Sequence, residues 1–168
     1  MKNKENNFAY IDGANLHKGI QELGWELDYR RFRIWLKDRY QVKIAYLFIG
    51  LIPKNNLLYQ HLQEAGFILV FKETTYDSSG KVKGNCDAEL VLNAVRDFYE
   101  NKFDNVILVT GDGDFACLAN FFLEKKRLRL IISPDSKKCS YLLRRIQVAI
   151  TFLNGLKVRL GYKRKSPQ

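Results

Sequence analysis

The chain has 168 residues, with 28 Lys and Arg against 18 Asp and Glu, a net charge of +10 and a pI near 9.5. Hydrophobic residues make up 46% of it and there are only 11 Gly and 3 Pro, which excludes a disordered, collagen-like or low-complexity chain and fits one domain of about 100–200 residues. The longest apolar stretch, near Ile44–Ile52 with Gly50 inside it, is about half of what a membrane-spanning helix needs. Met1–Asn7 lacks the apolar run of a signal peptide, so a cytoplasmic protein with no membrane partner is expected. Cys86, Cys117 and Cys139 are far apart and only His17 and His61 accompany them, which argues against a disulfide framework or a zinc site.

In chain order, Phe8–Ile11 reads as a strand ended by Asp12-Gly13, and Ala14–Leu23 as a helix with Leu16, Ile20 and Leu23 at helical spacing. Asp28 caps a second helix reaching Tyr40, Val42–Ile49 is a buried strand, and Pro53 opens a helix that runs to Glu64 and stops at Gly66. Phe67–Phe71 is a third strand, and Thr74–Gly84 carries the turn signal of a hairpin. Asp87–Glu100 is helical, Asn105–Val109 a fourth strand, Phe115–Lys126 a helix and Leu128–Ile132 a fifth strand. From Ser136 onward the pattern is helical with an unclear break. Apolar strands alternating with helices imply a parallel sheet covered on both faces. The expected organisation is a disordered N-terminal tail over 1–7, one α/β domain over 8–160 and a basic C-terminal tail over 161–168.

Ligands of such sheets bind outside the carboxyl ends of the strands, where strand order reverses. Two strands end in aspartate, at Asp12 and in the run Thr110-Gly111-Asp112-Gly113-Asp114, and Asp87 opens the helix before the second of them. An aspartate before a helix is ordinarily a cap, which explains Asp12, Asp87 and Asp114 singly but not four acids gathered at one edge of a basic chain. Converging carboxylates need a counter-charge. Oxygen-only ligands point to Mg²⁺ or Mn²⁺. Gly111 and Gly113 are expected to leave room for the backbone to bend and for a phosphate to approach. Asn15 either orients Asp12 or meets a ligand, and Thr110 can hydrogen-bond an aspartate. His17, five positions past Asp12, reads as an exposed helical residue. Gly111-x-Gly113-x-x-Ala116 with Asp135 downstream mimics a dinucleotide fingerprint, but Asp112 and Asp114 would repel a pyrophosphate.

At these residues the sequence resembles a known family. Tyr10-Ile11-Asp12-Gly13-Ala14-Asn15, Lys83-Gly84 followed by Asp87, and Val109-Thr110-Gly111-Asp112-Gly113-Asp114-Phe115 look like the NYN domain of the LabA/DUF88 group, within the PIN-like nuclease superfamily. Ser140-Tyr141-Leu142-Leu143 looks like the family's late Ser-x-x-Leu segment. The resemblance implies a three-layer α/β/α sandwich around a mainly parallel five-stranded sheet. It implies a metal-dependent endoribonuclease-like hydrolase, with Asp12, Asp87, Asp112 and Asp114 as catalytic and metal-binding acids holding Mg²⁺ or Mn²⁺. Asn15, Thr110, Lys18 and Lys83 would bind RNA, DNA not being excluded, with Lys137 and Lys138 near the same edge and Tyr76 able to stack on an unpaired base. The protein would be a monomer or homodimer. Two departures stand out: Asn85 and Cys86 separate Gly84 from Asp87, and Asn93 replaces a frequent acid. The competing expectation is a non-catalytic RNA-binding module that keeps the acidic pocket. An aspartyl phosphatase is disfavoured because Ala14 stands where Asp-x-Asp would need its second acid.

Overall fold

A computed structural model of the chain describes residues 5–73, 75–80, 82 and 83 (backbone only) and 85–163. The elements are β1 (Asn7–Asp12), α1 (Gly13–Glu22), α2 (Tyr29–Tyr40), β2 (Val42–Leu51), α3 (Asn56–Glu64), β3 (Ile68–Glu73), a small hairpin of β4 (Thr75–Tyr76) and β5 (Val82–Lys83), α4 (Asp87–Tyr99), β6 (Asn105–Val109), α5 (Ala116–Glu124), β7 (Leu128–Ser133), α6 (Tyr141–Arg144), β8 (Ile150–Phe152) and α7 (Lys157–Leu160). The main sheet runs β3-β2-β1-β6-β7-β8 with every pair parallel. Strand order therefore reverses between β1 and β6.

Side chains alternate across each strand with period 2, and this sorts the core into two layers. Ala9, Ile11, Ala45, Leu47, Ile107, Val109 and Ile132 face α1 and α2, where they meet Leu16, Ile20, Phe32 and Leu36. Phe8, Tyr10, Phe48, Val106, Leu108 and Ile131 face α4 and α5, where they meet Leu90, Ala94, Leu118 and Phe122. The three-layer α/β/α sandwich is thus present, with no helix among the described residues long and apolar enough to cross a membrane.

The sheet has six strands where five were expected. The sixth, β8, lies in the segment read as helical. A three-residue strand is too short to show a period, and Ile150–Phe152 takes its state from the free edge of β7, to which it pairs. Both ends also depart from the tails drawn from sequence. Asn7 is fully buried and donates its amide to the Tyr40 carbonyl at 2.7 Å and to Glu5 at 3.0 Å. Gly161 bridges to Leu27, and the Tyr162 amide donates to the Glu26 carbonyl at 2.8 Å. Residues 1–4 and 164–168 lie outside the described residues.

Several of the 28 Lys and Arg residues are structural. Arg33 spends its guanidinium on the carbonyls of Gly66, Val42 and Lys43 at 2.7–3.2 Å, tying α2 to the strands beside it. Arg127 donates to the Asp104 carbonyl and Arg144 to that of Cys139.

The one fully buried carboxylate in the described core is Asp97 on α4. It accepts from the Tyr10 hydroxyl at 2.9 Å and from Lys102 at 3.0 Å. Burial and the neighbouring Asp97 charge push the Tyr10 hydroxyl well above the ordinary phenol range, so it stays a donor at any physiological pH. Tyr10→Phe should lower unfolding free energy by about 1–3 kcal/mol, because it strips a buried carboxylate of a donor. Urea denaturation checks this, and an unchanged midpoint would refute it.

Candidate metal centre

The site forms where β1 and β6 end side by side. β1 and β6 pair in register up to Ile11 and Val109, so the next residues, Asp12 and Thr110, stand side by side where that pairing ends. Asp12 has extended backbone and caps α1, its Oδ1 accepting from the Asn15 amide at 3.1 Å. Its Oδ2 accepts from the Thr110 hydroxyl at 3.2 Å. The same Thr110 oxygen accepts from the Asp112 amide at 3.1 Å. Asn15 closes a second link, its Oδ1 accepting from the Gly111 amide at 2.8 Å. Asp112 in turn caps the 3-10 turn Gly113–Phe115, accepting from the Asp114 amide at 3.0 Å.

Asp87 arrives from the other side on the first turn of α4. Asn85 holds it in a reciprocal pair: Asn85 Nδ2 donates to Asp87 Oδ2 at 2.6 Å, and the Asp87 amide donates to Asn85 Oδ1 at 3.1 Å. Carboxylate oxygens of Asp87, Asp112 and Asp114 then lie within 4.8 Å of one another. Three of the four expected acids therefore converge. Asp12 is outside that trio and joined to it through Thr110. Among the described residues no ion pair reaches any of the four. An all-oxygen trio with no ion-pair partner among the described residues fits a hard divalent cation.

The electrostatics agree with that fit. Burial pushes the Asp12 carboxyl above its ordinary range, and the charges of Asp87 and Asp112 add to it, against the hydrogen bonds from Asn15 and Thr110. Burial likewise raises Asp87, with Asp112 and Asp114 adding and Asn85 and Lys72 opposing.

The residues expected to touch substrate divide. Thr110 is 2% exposed and its hydroxyl is committed on both sides, so it positions the acids and offers no face to a ligand. Asn15 is half-buried and braces the β6 turn. Lys18 is exposed and lines a cavity of about 220 Å³ with Asn15, Gly111, Asp135 and Lys138. Lys138 is paired there with Glu22 at 2.8 Å, and the Lys137 amide donates to Asp135. Lys83 is placed on β5 by its backbone, its side chain lying outside the described residues, as does Gly84. Tyr76, on β4, is exposed.

The glycines serve a different purpose from the one expected. A Cβ on Gly111 would sit 2.8 Å from Ser133 Oγ, and one on Gly113 would collide with Ser140 Oγ. The space is therefore filled by the chain itself. Ser140 donates its amide to the Gly111 carbonyl at 2.9 Å and caps α6, whose Leu143 is fully buried. The Ser-x-x-Leu segment is the strut behind the acidic turn. The dinucleotide mimic fails for a related reason, since Asp112 already occupies the Asp114 amide.

Sequence alone does not mark Asn85 as a site residue. Its signal was an Asn two positions before a helix start, where side chains commonly bond the backbone ahead of them. Glu89 was also passed over. Its Oε1 lies 3.4 Å from Lys72, and its other oxygen is buried without a hydrogen-bond partner.

Two outcomes follow from this geometry. A carboxyl with a raised folded pKa holds more protons folded than unfolded across the interval. The stability it lends is full below about 3.8 and is lost as pH rises through the folded pKa. Metal-free Asp12→Asn should thus melt with wild type in acid and above it at pH ~7; a variant that melts lower at every pH would contradict the buried-charge account. Thr110→Val should weaken Mn²⁺ binding by about 10–100-fold, as loss of an outer support commonly does, measurable by calorimetry.

The chain is 26% identical over 136 residues to the low amplitude and bright protein LabA of Synechococcus elongatus, covering 75% of this chain and 72% of that one. A crystal structure of a protein of unknown function from Vibrio parahaemolyticus shares the fold with a TM-score of 0.77, at 22% identity over 91% of this chain and 95% of that one. The NYN domain model matches residues 8–151. The chain belongs to the NYN domain family.

Proposed function

We propose that the protein is a metal-dependent ribonuclease that hydrolyses RNA phosphodiester bonds at the acidic cluster. The observation that carries this reading is the unpaired trio of Asp87, Asp112 and Asp114 inside a chain of net charge +10. The trio would hold Mg²⁺ or Mn²⁺. Such an ion, when bound there, would supply Lewis-acid chemistry and offset phosphate charge.

The chain's own residues do the rest. Asn85 and Thr110 fix the acids before substrate arrives, so little reorganisation is needed at the moment of reaction. Asp12, raised by burial, is suited to accept a proton from the attacking water at a carboxylate oxygen. The basic surface supplies sequence-independent attraction for the phosphate backbone, and Lys18 stands next to Asn15 for a neighbouring phosphate. None of the three cysteines or two histidines is paired with a base as a covalent nucleophile would be.

A second reading, an RNA-binding module without turnover, is favoured by one observation. Asn93 turns back on its own helix, donating to the Glu89 carbonyl at 2.8 Å and accepting from Arg96 at 2.7 Å, so it adds nothing to the cluster.

Labelled RNA should be cut with Mg²⁺ or Mn²⁺, left intact with EDTA, and left intact by Asp112→Asn. RNA that binds but stays whole under every metal condition would favour the module. Binding should also fall steeply with salt; a flat response would remove the polyanion partner altogether.

A further inference from the structure

A cation flanks the site on its β2–β3 side. Asp12 stands level with Phe48, and Phe48 with Val70, and the β2–β3 pairing continues past that level to Leu51 and Glu73. The two strands therefore project beyond the end of β1. Lys72 lies in that projection, two positions past Val70, about 7 Å along the strand. Alternation puts it on the same face as Asp12, Phe48 and Val70, the face that α4 covers. The β2 residue at its level is Gly50, which places no side chain between Lys72 and the acids. β1 is two strand spacings away, about 10 Å.

α4 holds this side chain in place. Glu89, two residues past Asp87, has Oε1 3.4 Å from Lys72 Nζ, and its other oxygen is buried without a hydrogen-bond partner. Among the described residues Lys72 has no other ion pair. A charge-assisted hydrogen bond is about 2.7–2.9 Å long, so Glu89 tethers the ammonium without consuming its three donors. The two side chains are 36% and 33% exposed, and a pair so exposed adds little to stability. The Lys72 charge is felt at the cluster. Burial raises the Asp87 carboxyl and the Cys86 thiol, and Lys72 opposes both rises.

We propose that Lys72 is a catalytic residue, whose ammonium, tethered by Glu89, contacts the phosphate at the acidic cluster and offsets the charge that builds there during hydrolysis. The inference rests on the ribonuclease reading and adds a residue to it. Lys72 stays protonated throughout and transfers nothing; its contribution is electrostatic. A compact charge on a flexible stem can follow a phosphate whose shape changes as it reacts. Glu89 acts through Lys72 and is a positioning residue. Without substrate, the same positive charge repels a cation at the trio. Lys72 therefore lowers metal affinity and raises phosphate affinity, a pair of opposite effects that loss of structure does not produce.

Wild type, Lys72→Met, Lys72→Arg, Glu89→Gln and the double variant Lys72→Met with Glu89→Gln are compared. By calorimetry, Lys72→Met should bind Mn²⁺ about 2- to 10-fold more tightly. Its Mn²⁺-loaded form should bind uridine 5′-monophosphate about 10-fold more weakly. With labelled RNA its kcat should fall about 100-fold and by more than KM rises, and Lys72→Arg should recover part of the loss. Glu89→Gln should lower kcat by less, and should cost nothing further in the Lys72→Met background.

Wild-type affinities for both Mn²⁺ and the nucleotide in Lys72→Met, or a fall in both, overturn the proposal. If wild type cuts RNA in that case, the ribonuclease reading stands without it. Opposite shifts of the two affinities, with no cleavage by wild type under any metal, support the Lys72 contact with phosphate and overturn the ribonuclease reading instead. A full additional loss from Glu89→Gln in the double variant overturns the tether.

Discussion

One hydroxyl joins the two halves of this protein's chemistry. Thr110 donates to Asp12 at the end of β1 and accepts from the Asp112 amide at the start of the β6 turn. Both strands are buried on both faces, so their ends are fixed by the core. The hydroxyl converts that rigidity into a defined offset between acids that would otherwise repel. Asn15 repeats the device one residue further on, through Gly111. Burying carboxylates and crowding them together costs free energy, and the Asp12 and Asp87 carboxyls, raised first by burial and further by their acidic neighbours, are the visible sign of it. A cation would relieve that cost, which is why the arrangement makes physical sense as a metal centre.

The supporting layer lies behind the turn. Ser140, Ser133 and buried Leu143 fill the space that side chains on Gly111 and Gly113 would need. The turn is therefore braced from below and open above. Asn85 plays the equivalent part for Asp87. Asp12, Asp87 and Asp112 thus each have a partner that fixes the carboxylate without neutralising its charge.

Charge is divided by role in a way that composition does not reveal. A net +10 invites a picture of basic clusters facing a polyanion. Arg33, Arg127 and Arg144 are instead committed to backbone carbonyls, and Lys138 to Glu22. Cations without such engagement, such as Lys18, and Lys72, tethered by Glu89 at 3.4 Å, are the ones positioned to act on a phosphate chain.

Much was legible along the chain because it depends on local chemistry. The period of apolar residues separated strands from helices, and aspartates at strand ends marked the site edge. The resemblance to the NYN family added which acids to gather. Three things were not legible. The strand at Ile150–Phe152 is made a strand by the vacant edge of β7, not by its own pattern. The task of Gly113 depends on Ser140, which is far away in sequence and close in space. The part played by Thr110 depends on register: only parallel pairing of β1 with β6 sets its hydroxyl between Asp12 and Asp112. The sequence by itself determined which acids could meet, because strand ends and caps are short-range features. Tertiary structure decided which three share one point, which one stands aside, and which polar groups are consumed in holding them, because those outcomes depend on distances between segments that the chain brings together only on folding.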